Sequence, residues 1–227
     1  MKITEIFKSI DGEGIRTGKI VTFIRSFGCC CSCSYCDSRY SNEVTEGVTI
    51  TDMTVYEIVN ICKENKTPYV TFTGGEPLIQ KDAFELIKTL CEKGFEVNIE
   101  TSGAVDIKPF KDKLSRTSNT IFTVDYKSLS SGANHQMIME NFTNNLSYWD
   151  VVKFVVGTED DLNDMKRMVE IIKKSYDSFI PNIFVSPIFG MIEPKNIVQY
   201  IIDNDLFDVR MQLQLHKYIW DKDKRGV

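Results

Sequence analysis

Six short β-rich runs alternate along this chain with amphipathic helical patterns, and that alternation narrows the possible folds more than any other feature. The runs are IVTFIRS at 20–26, YVTFTG at 69–74, FEVNIE at 95–100, TIFTVDY at 120–126, VVKFVVG at 151–157 and NIFVSP at 182–187. Each is nearly continuous in apolar or β-branched residues, the pattern of a strand buried on both faces of a parallel sheet. A further run, VRMQLQL at 209–215, reads as a last strand. After Thr54, residues Val55, Ile58, Val59 and Cys62 fall on one helical face, and Thr54 with Glu57 fits a capping box. Phe84, Ile87, Leu90 and Cys91 make a second stripe, closed by Gly94. Leu162, Met165, Val169 and Ile172 make a third. Pro194 suits the first turn of a fourth, with Ile197, Val198 and Ile201 inward.

Strand–helix repeats imply right-handed crossovers and either an open sheet or a barrel. A complete eight-fold barrel takes about 250 residues, and the 227 available are short of that. The expected fold is therefore α/β, a partial (β/α) barrel of about six parallel strands, with residues 1–227 forming one domain. Loops or excursions are expected over 103–119 and 127–149, where Asn, Ser, Thr and Lys dominate.

A formal net charge of −5, with no long basic run, argues against a nucleic-acid partner. No apolar stretch is long enough to span a bilayer, so no membrane partner is expected. The start, MKITEIFKSIDGEG, lacks the apolar region of a signal peptide. A cytoplasmic location follows as the expectation, and with it reduced thiols.

That matters because five of the seven cysteines crowd into FGCCCSCSYCDS at 27–38. A reducing compartment and an odd count weigh against a disulfide knot. Cys62 and Cys91, on apolar helix faces, read as small core hydrophobes. For the cluster itself a zinc site and an iron–sulfur site compete. Cys29, Cys33 and Cys36 stand at C-x3-C-x2-C spacing directly after Gly28, while Cys30, Cys33 and Cys36 offer a rival, ferredoxin-like spacing. Zinc wants four ligands in a closed tetrahedron. Its fourth would be Cys30 or Cys31, close chain neighbours that rarely reach the same tetrahedron, and His135 and His216 are remote in sequence. Three cysteines on a [4Fe–4S] cluster would leave one iron open to a substrate or cofactor.

A second motif, TGGEP at 73–77, lies at the C-terminal end of the next β-run, where α/β folds gather their ligands. Two glycines let backbone approach a ligand closely, and Glu76 offers an acceptor for an ammonium. Alone, GGEP reads first as an ordinary β-turn. Paired with the cysteine spacing one strand earlier, it resembles the radical S-adenosylmethionine (SAM) superfamily. That resemblance implies a radical SAM-type partial barrel. Cys29, Cys33 and Cys36 would hold a [4Fe–4S] cluster whose open iron is chelated by SAM, while Cys30 and Cys31 occupy positions the family leaves variable.

Three further stretches narrow the resemblance. EIFKSIDGEG at 5–14, Cys36-Asp37-Ser38, and the tail QLHKYIWDKDKRGV at 214–227 are similar to segments of the 7-carboxy-7-deazaguanine synthase family of queuosine and deazapurine biosynthesis. With TGGEP and ETSG at 100–103, the likeness runs nearly the whole chain. The family's reaction converts 6-carboxy-5,6,7,8-tetrahydropterin to 7-carboxy-7-deazaguanine with loss of ammonia. One electron from the cluster cleaves SAM to methionine and a 5′-deoxyadenosyl radical, which removes the hydrogen at C6. The ring contracts, hydrogen returns, and SAM is regenerated. An enclosed barrel interior would shield such a radical.

The resemblance also implies roles, position by position. Tyr35, Cys36 and Asp37 would touch SAM from the cluster loop. Gly75 and Glu76 would face its methionine, Ser102 its ribose region, and Asp125, Tyr126 and Lys127 another edge. Ile10, Asp11 and Gly12, largely through backbone, would meet the substrate, as would Arg25 and Thr73. Arg25 offers a guanidinium for a carboxylate; its bland reading is a surface ion pair. Ser38 would ligate Mg2+, a cation that takes oxygen ligands and keeps several waters. His216 would be a pterin contact, against a plain structural role, and the carboxylate of Val227 would reach the substrate.

Four departures stand out. Asp11 replaces a usual Gln, Ser38 a usual Thr, Ser102 a common Asn, and Asp125-Tyr126-Lys127 a common Ser-Pro-Lys. A flavodoxin or ferredoxin is implied as reductant, and a homodimer as the assembly. A radical SAM activase acting on a glycine of a partner enzyme shares the size and cysteine spacing, but not SIDGEG or the RGV ending. A non-catalytic zinc or iron–sulfur module leaves TGGEP unexplained.

Overall fold

Alternate positions of the central strands carry two different chemistries, and the sheet they build keeps them on opposite sides. In a computed structural model, which describes residues 1–114, 119–221 and 224–227, nine strands form one sheet. They are β1 (Lys2–Ile10), β2 (Ile20–Ser26), β3 (Thr51–Asp52), β4 (Tyr69–Gly74), β5 (Glu96–Thr101), β6 (Thr120–Tyr126), β7 (Val151–Val156), β8 (Asn182–Pro187) and β9 (Val209–Met211). The helices are α1 (Val55–Glu64), α2 (Ala83–Glu92), α3 (Lys108–Lys113), α4 (Glu140–Thr143), α5 (Glu159–Ser175), α6 (Pro194–Asp203) and α7 (His216–Ile219). The sheet order is β3-β1-β2-β4-β5-β6-β7-β8-β9. From β2 to β9 every pairing is parallel, while β1 and β3 close the β2 side antiparallel.

The six expected strands are all present, and β9 brings the parallel set to seven, one more than the reading of about six. The unforeseen strands are the two-residue β3 and β1, whose pattern is blurred by Lys2, Thr4 and Lys8 and mostly half-buried. β1 turns into β2 through a tight loop in which Asp11 N–H donates to the Lys19 carbonyl at 2.7 Å and the Asp11 carbonyl accepts from Gly18 N–H at 2.8 Å.

One face of the sheet is the core. Ile24 registers with Phe72, Phe72 with Ile99 and Ile99 with Phe122, and all four are fully buried. The other face carries Arg25, Thr73, Glu100, Thr123, Asp125, Lys153 and Ser186, in registers such as Arg25 with Thr73 and Asp125 with Lys153. The expectation of strands apolar on both faces is therefore corrected: the concave side is a polar lining.

The helices form as their caps and stripes require. Thr54 and Glu57 make the expected capping box on α1, with Thr54 Oγ1 accepting from Glu57 N–H and the Glu57 carboxylate from Thr54 N–H, a device worth about 1 kcal/mol. Leu162, Met165, Val169 and Ile172 are buried along α5. On α6 only Ile197 is buried; Val198, expected inward, is 41% exposed. Cys62 is in the core, and Cys91 packs against its edge. The segments expected as loops contain the short α3 and α4; residues 115–118 lie outside the described residues. No described helix is long and apolar enough to cross a membrane.

Candidate active site

A cavity of about 750 Å3 opens on the polar face of the sheet, at the C-terminal ends of the parallel strands. Two loops make its upper wall. The glycine loop after β4 is sewn to the end of β2: Gly75 N–H donates to the Ser26 carbonyl at 3.2 Å, and Glu76 N–H to the Gly28 carbonyl at 2.8 Å. A Cβ on Gly75 would sit 2.2 Å from both the Gly28 oxygen and Asn42 Oδ1, and one on Gly74, at φ +144°, would sit 2.3 Å from the Ser26 oxygen. Only glycine fits either position. The cysteine loop begins where this seam ends.

Cys29, Cys33 and Cys36 all line the cavity. Asn42 Nδ2 lies 3.8 Å from Cys36 Sγ, and Cys36 N–H donates to the Cys33 carbonyl at 3.3 Å. Burial pushes the Cys33 thiol up, against the pull of Lys127 nearby. Cys30 is exposed, and the buried Cys31 donates to Gln136 Oε1 at 3.3 Å. Among the described residues, no three His, Cys, Asp or Glu side chains stand together as the ligand set of a metal ion. The chemistry of the wall nevertheless fits an iron–sulfur cluster with a small-molecule ligand beside it. Three thiols face one space, next to a glycine cradle that side chains would fill. Asp125 adds a buried oxygen, Oδ1, with no hydrogen-bond partner among the described residues. Its other oxygen accepts from Lys127 Nζ at 2.7 Å.

Below this wall the lining is charged but paired. Lys153 Nζ donates to Glu13 Oε2 at 2.7 Å, and Ser186 Oγ to Glu13 Oε1 at 3.2 Å. Burial alone would raise Glu13; the Lys153 ammonium overcomes it and holds the carboxyl below its ordinary range. Thr73 Oγ1 donates to Glu100 Oε2 at 3.0 Å. At the floor, Arg16 reaches Asp11 Oδ2 through Nε at 3.2 Å and Nη2 at 3.1 Å, and also donates to the Glu96 and Val70 carbonyls. The DGEGIR loop thus runs beneath the cavity from β1 towards the far strands, and Gly14 N–H meets Gln212 Oε1 at 2.7 Å.

The C-terminal segment closes the remaining side. Leu215 N–H donates to the Gly12 carbonyl at 3.2 Å, and His216 packs so closely that a Cβ on Gly12 would lie 2.8 Å from its Nδ1. Burial lowers the His216 imidazole, against the pull of Glu13 and Asp37 nearby. Lys217 Nζ pairs with Asp37 Oδ2 at 3.0 Å, and Ser38 Oγ donates to Asp37 Oδ1 at 2.9 Å. Arg225 lies over the Tyr40 ring, 4.2 Å from its centroid, and Gly226 and Val227 line the cavity. Lys222 and Asp223 of the tail motif lie outside the described residues.

Nearly all of the residues singled out in the sequence line this one space: Ile10, Asp11, Gly12, Arg25, Tyr35, Asp37, Ser38, Thr73, Gly75, Ser102, Asp125, Lys127, His216, Val227 and the three cysteines. Two do not. Glu76 is fully buried, and its carboxylate is saturated by Ser102 N–H at 2.7 Å, Ser102 Oγ at 2.6 Å, Thr101 Oγ1 at 2.8 Å and Leu78 N–H at 3.1 Å. It ties the glycine loop to the end of β5 rather than facing a ligand. Tyr126 is 3% exposed in the core, against Phe142 and Phe154, with its hydroxyl on Asp164.

A third expectation changes in kind. The Asp11 N–H and carbonyl are both engaged in the β1–β2 turn, and its side chain is on Arg16, so a backbone contact from Asp11 is left only a second carbonyl lone pair. Tyr35 presents its ring, since its hydroxyl is on Ser128 Oγ at 3.2 Å and burial pushes it up to about 12. Sequence reasoning missed Glu13, Lys153, Glu100, Tyr40 and Arg225. Lys153 did leave a signal, as a lone charge inside VVKFVV.

A profile of the radical SAM superfamily matches residues 23–204. The chain is 42% identical over 227 residues to a 7-carboxy-7-deazaguanine synthase from Clostridium acetobutylicum, covering 100% of this chain and 99% of that one. It is also 42% identical over 220 residues to a 7-carboxy-7-deazaguanine synthase from Methanospirillum hungatei, covering 96% of this chain and 85% of the relative. Among solved structures, QueE from Escherichia coli superposes with a TM-score of 0.70 at 23% identity, over 93% of this chain and 92% of that one, a likeness of fold.

Proposed function

The chain belongs to the radical SAM superfamily, and from that membership we propose that it converts 6-carboxy-5,6,7,8-tetrahydropterin to 7-carboxy-7-deazaguanine with loss of ammonia. The observation that carries this reading is the end-to-end likeness to the Clostridium acetobutylicum synthase. A [4Fe–4S] cluster and SAM are the cofactors, and when bound they supply a one-electron step that permits hydrogen abstraction from a substrate C–H bond.

In this reading Cys29, Cys33 and Cys36 hold the cluster. Gly75 admits SAM to the backbone of its loop, and Asp125 Oδ1 is the free acceptor for a ligand N–H or O–H, with Lys127 fixing the carboxylate. Ser102 and Tyr35 complete the SAM wall, while Glu76 and Tyr126 support it from behind. Arg25 takes the pterin carboxylate, with Thr73, Gly12, His216 and the Val227 terminus around the ring. The Ser38 hydroxyl donates to Asp37 and keeps lone pairs for Mg2+ beside that carboxylate. The floor loop and the C-terminal segment would limit water's access to the reacting carbon. The electron comes from a flavodoxin or ferredoxin, and the chain works in the cytoplasm as a homodimer. Exposed Ile202 and Phe207, beside the edge strand β9, support such pairing.

Arg25→Met is expected to raise KM for the pterin about 100-fold, the worth of a charge-assisted bidentate contact of about 3 kcal/mol, and to leave SAM affinity unchanged. A pterin lacking the 6-carboxylate should lose a similar factor on the wild type and nothing further on the variant. Equal discrimination by wild type and variant would contradict the substrate assignment.

A further inference from the structure

Tyr40 was not foreseen as part of the site, yet three segments remote in sequence meet on it. It sits in the single helical turn Arg39–Ser41 that follows the cysteine loop. Its hydroxyl donates to Glu5 Oε1 at 2.7 Å, and the same oxygen accepts from Arg25 Nε at 2.8 Å. Glu5 lies on β1 and Arg25 on β2, so one carboxylate fixes both a ring and a guanidinium. Arg25 Cζ is 5.8 Å from the ring centroid, and Arg225 Cζ, from the C-terminal segment, is 4.2 Å from it.

We infer that Tyr40 is a positioning residue, a plate set by Glu5 that orients Arg25 for an anionic substrate group and latches the segment 224–227 over the cavity through Arg225. The substrate half of this rests on the function proposed above; the latch does not.

Two features support the assignment. Glu5 takes Arg25 only through Nε. The two Nη groups of the fork make no hydrogen bond among the described residues, so the fork is aimed without being used up. A guanidinium held this way is ready for bidentate pairing with a carboxylate. The ring face is the other feature. A guanidinium within about 6 Å of an aromatic centroid is attracted by the ring quadrupole. Gly226 and Val227 follow Arg225 directly, so holding it also places those two residues.

The test uses the cluster-loaded protein under anaerobic conditions, without substrate. Carboxypeptidase release of Val227 is followed by intact mass for wild type, Tyr40→Phe, Tyr40→Leu and Arg225→Ala. Phe keeps the ring, so Tyr40→Phe should release Val227 at close to the wild-type rate. Tyr40→Leu and Arg225→Ala lose the ring–guanidinium contact and should release it about tenfold faster. Release from Tyr40→Leu at the wild-type rate, or from Tyr40→Phe as fast as from Tyr40→Leu, overturns the latch. In turnover, Glu5→Gln should raise KM for the pterin about tenfold with kcat and SAM affinity retained; a fall in kcat alone overturns the orienting role. Protection that follows the ring in a protein that never turns over the pterin would leave the latch standing and refute the proposed substrate.

Discussion

Arg16→Met is expected to destabilise the fold by about 3–5 kcal/mol, because it leaves a buried carboxylate without its counter-charge. Arg16 and Asp11 are 3% and 2% exposed, and the guanidinium also serves the Val70 and Glu96 carbonyls and the Thr71 hydroxyl. The loss should depend on pH. Burial, helped by the neighbouring Glu100, lifts the Asp11 carboxyl from 3.8 to about 6 despite Arg16. A group raised in the folded state stabilises fully below its unfolded value, and that contribution disappears as pH rises through the folded one. Removing Arg16 takes away a lowering influence and pushes the folded value higher still. The gap between wild type and variant should therefore be wider at pH 8 than at pH 5. Urea unfolding midpoints at matched cluster content would check this, and an equal gap at both pH values would refute it.

Gly75→Ala should weaken SAM binding about 100-fold while leaving the sheet intact. The new methyl would lie 2.2 Å from a carbonyl oxygen whose own position is fixed by the Glu76 N–H. One loop must give by about 1 Å, and a displacement of that size in a site costs about 100-fold. The cysteine loop is the one displaced, since the glycine loop is tied to β5 through Glu76. Iron content and SAM binding to reconstituted protein would read the effect, with circular dichroism confirming the fold. Wild-type affinity in a fully loaded variant would remove the cradle from the account.

What the sequence made legible is what is local. The strands β2 and β4 to β8 lie within a residue of where the runs place them, because apolar period and flanking turns are carried by contiguous residues. The Thr54 cap and the α5 stripe follow for the same reason. The cysteine and glycine motifs were readable because each is a short unbroken stretch. What was hidden is pairing across the chain. Lys153 meets Glu13 from 140 positions away, and Tyr40 gathers Glu5, Arg25 and Arg225. Nothing in either local segment announces such partners.

Tyr126 is a different lesson. Adjacent strand residues point to opposite faces, so once Asp125 faces the cavity, Tyr126 must enter the core. Glu76 escaped because a carboxylate beside two glycines looks like a ligand contact, while its four donors come from residues 78, 101 and 102, which only the folded chain assembles.

The most direct measurement is product formation by anaerobically reconstituted protein given SAM, a low-potential reductant, Mg2+ and 6-carboxytetrahydropterin, with mass detection of 7-carboxy-7-deazaguanine. The account predicts many product molecules per SAM consumed. Protein with a full cluster that cleaves SAM to 5′-deoxyadenosine yet forms no 7-carboxy-7-deazaguanine would contradict it.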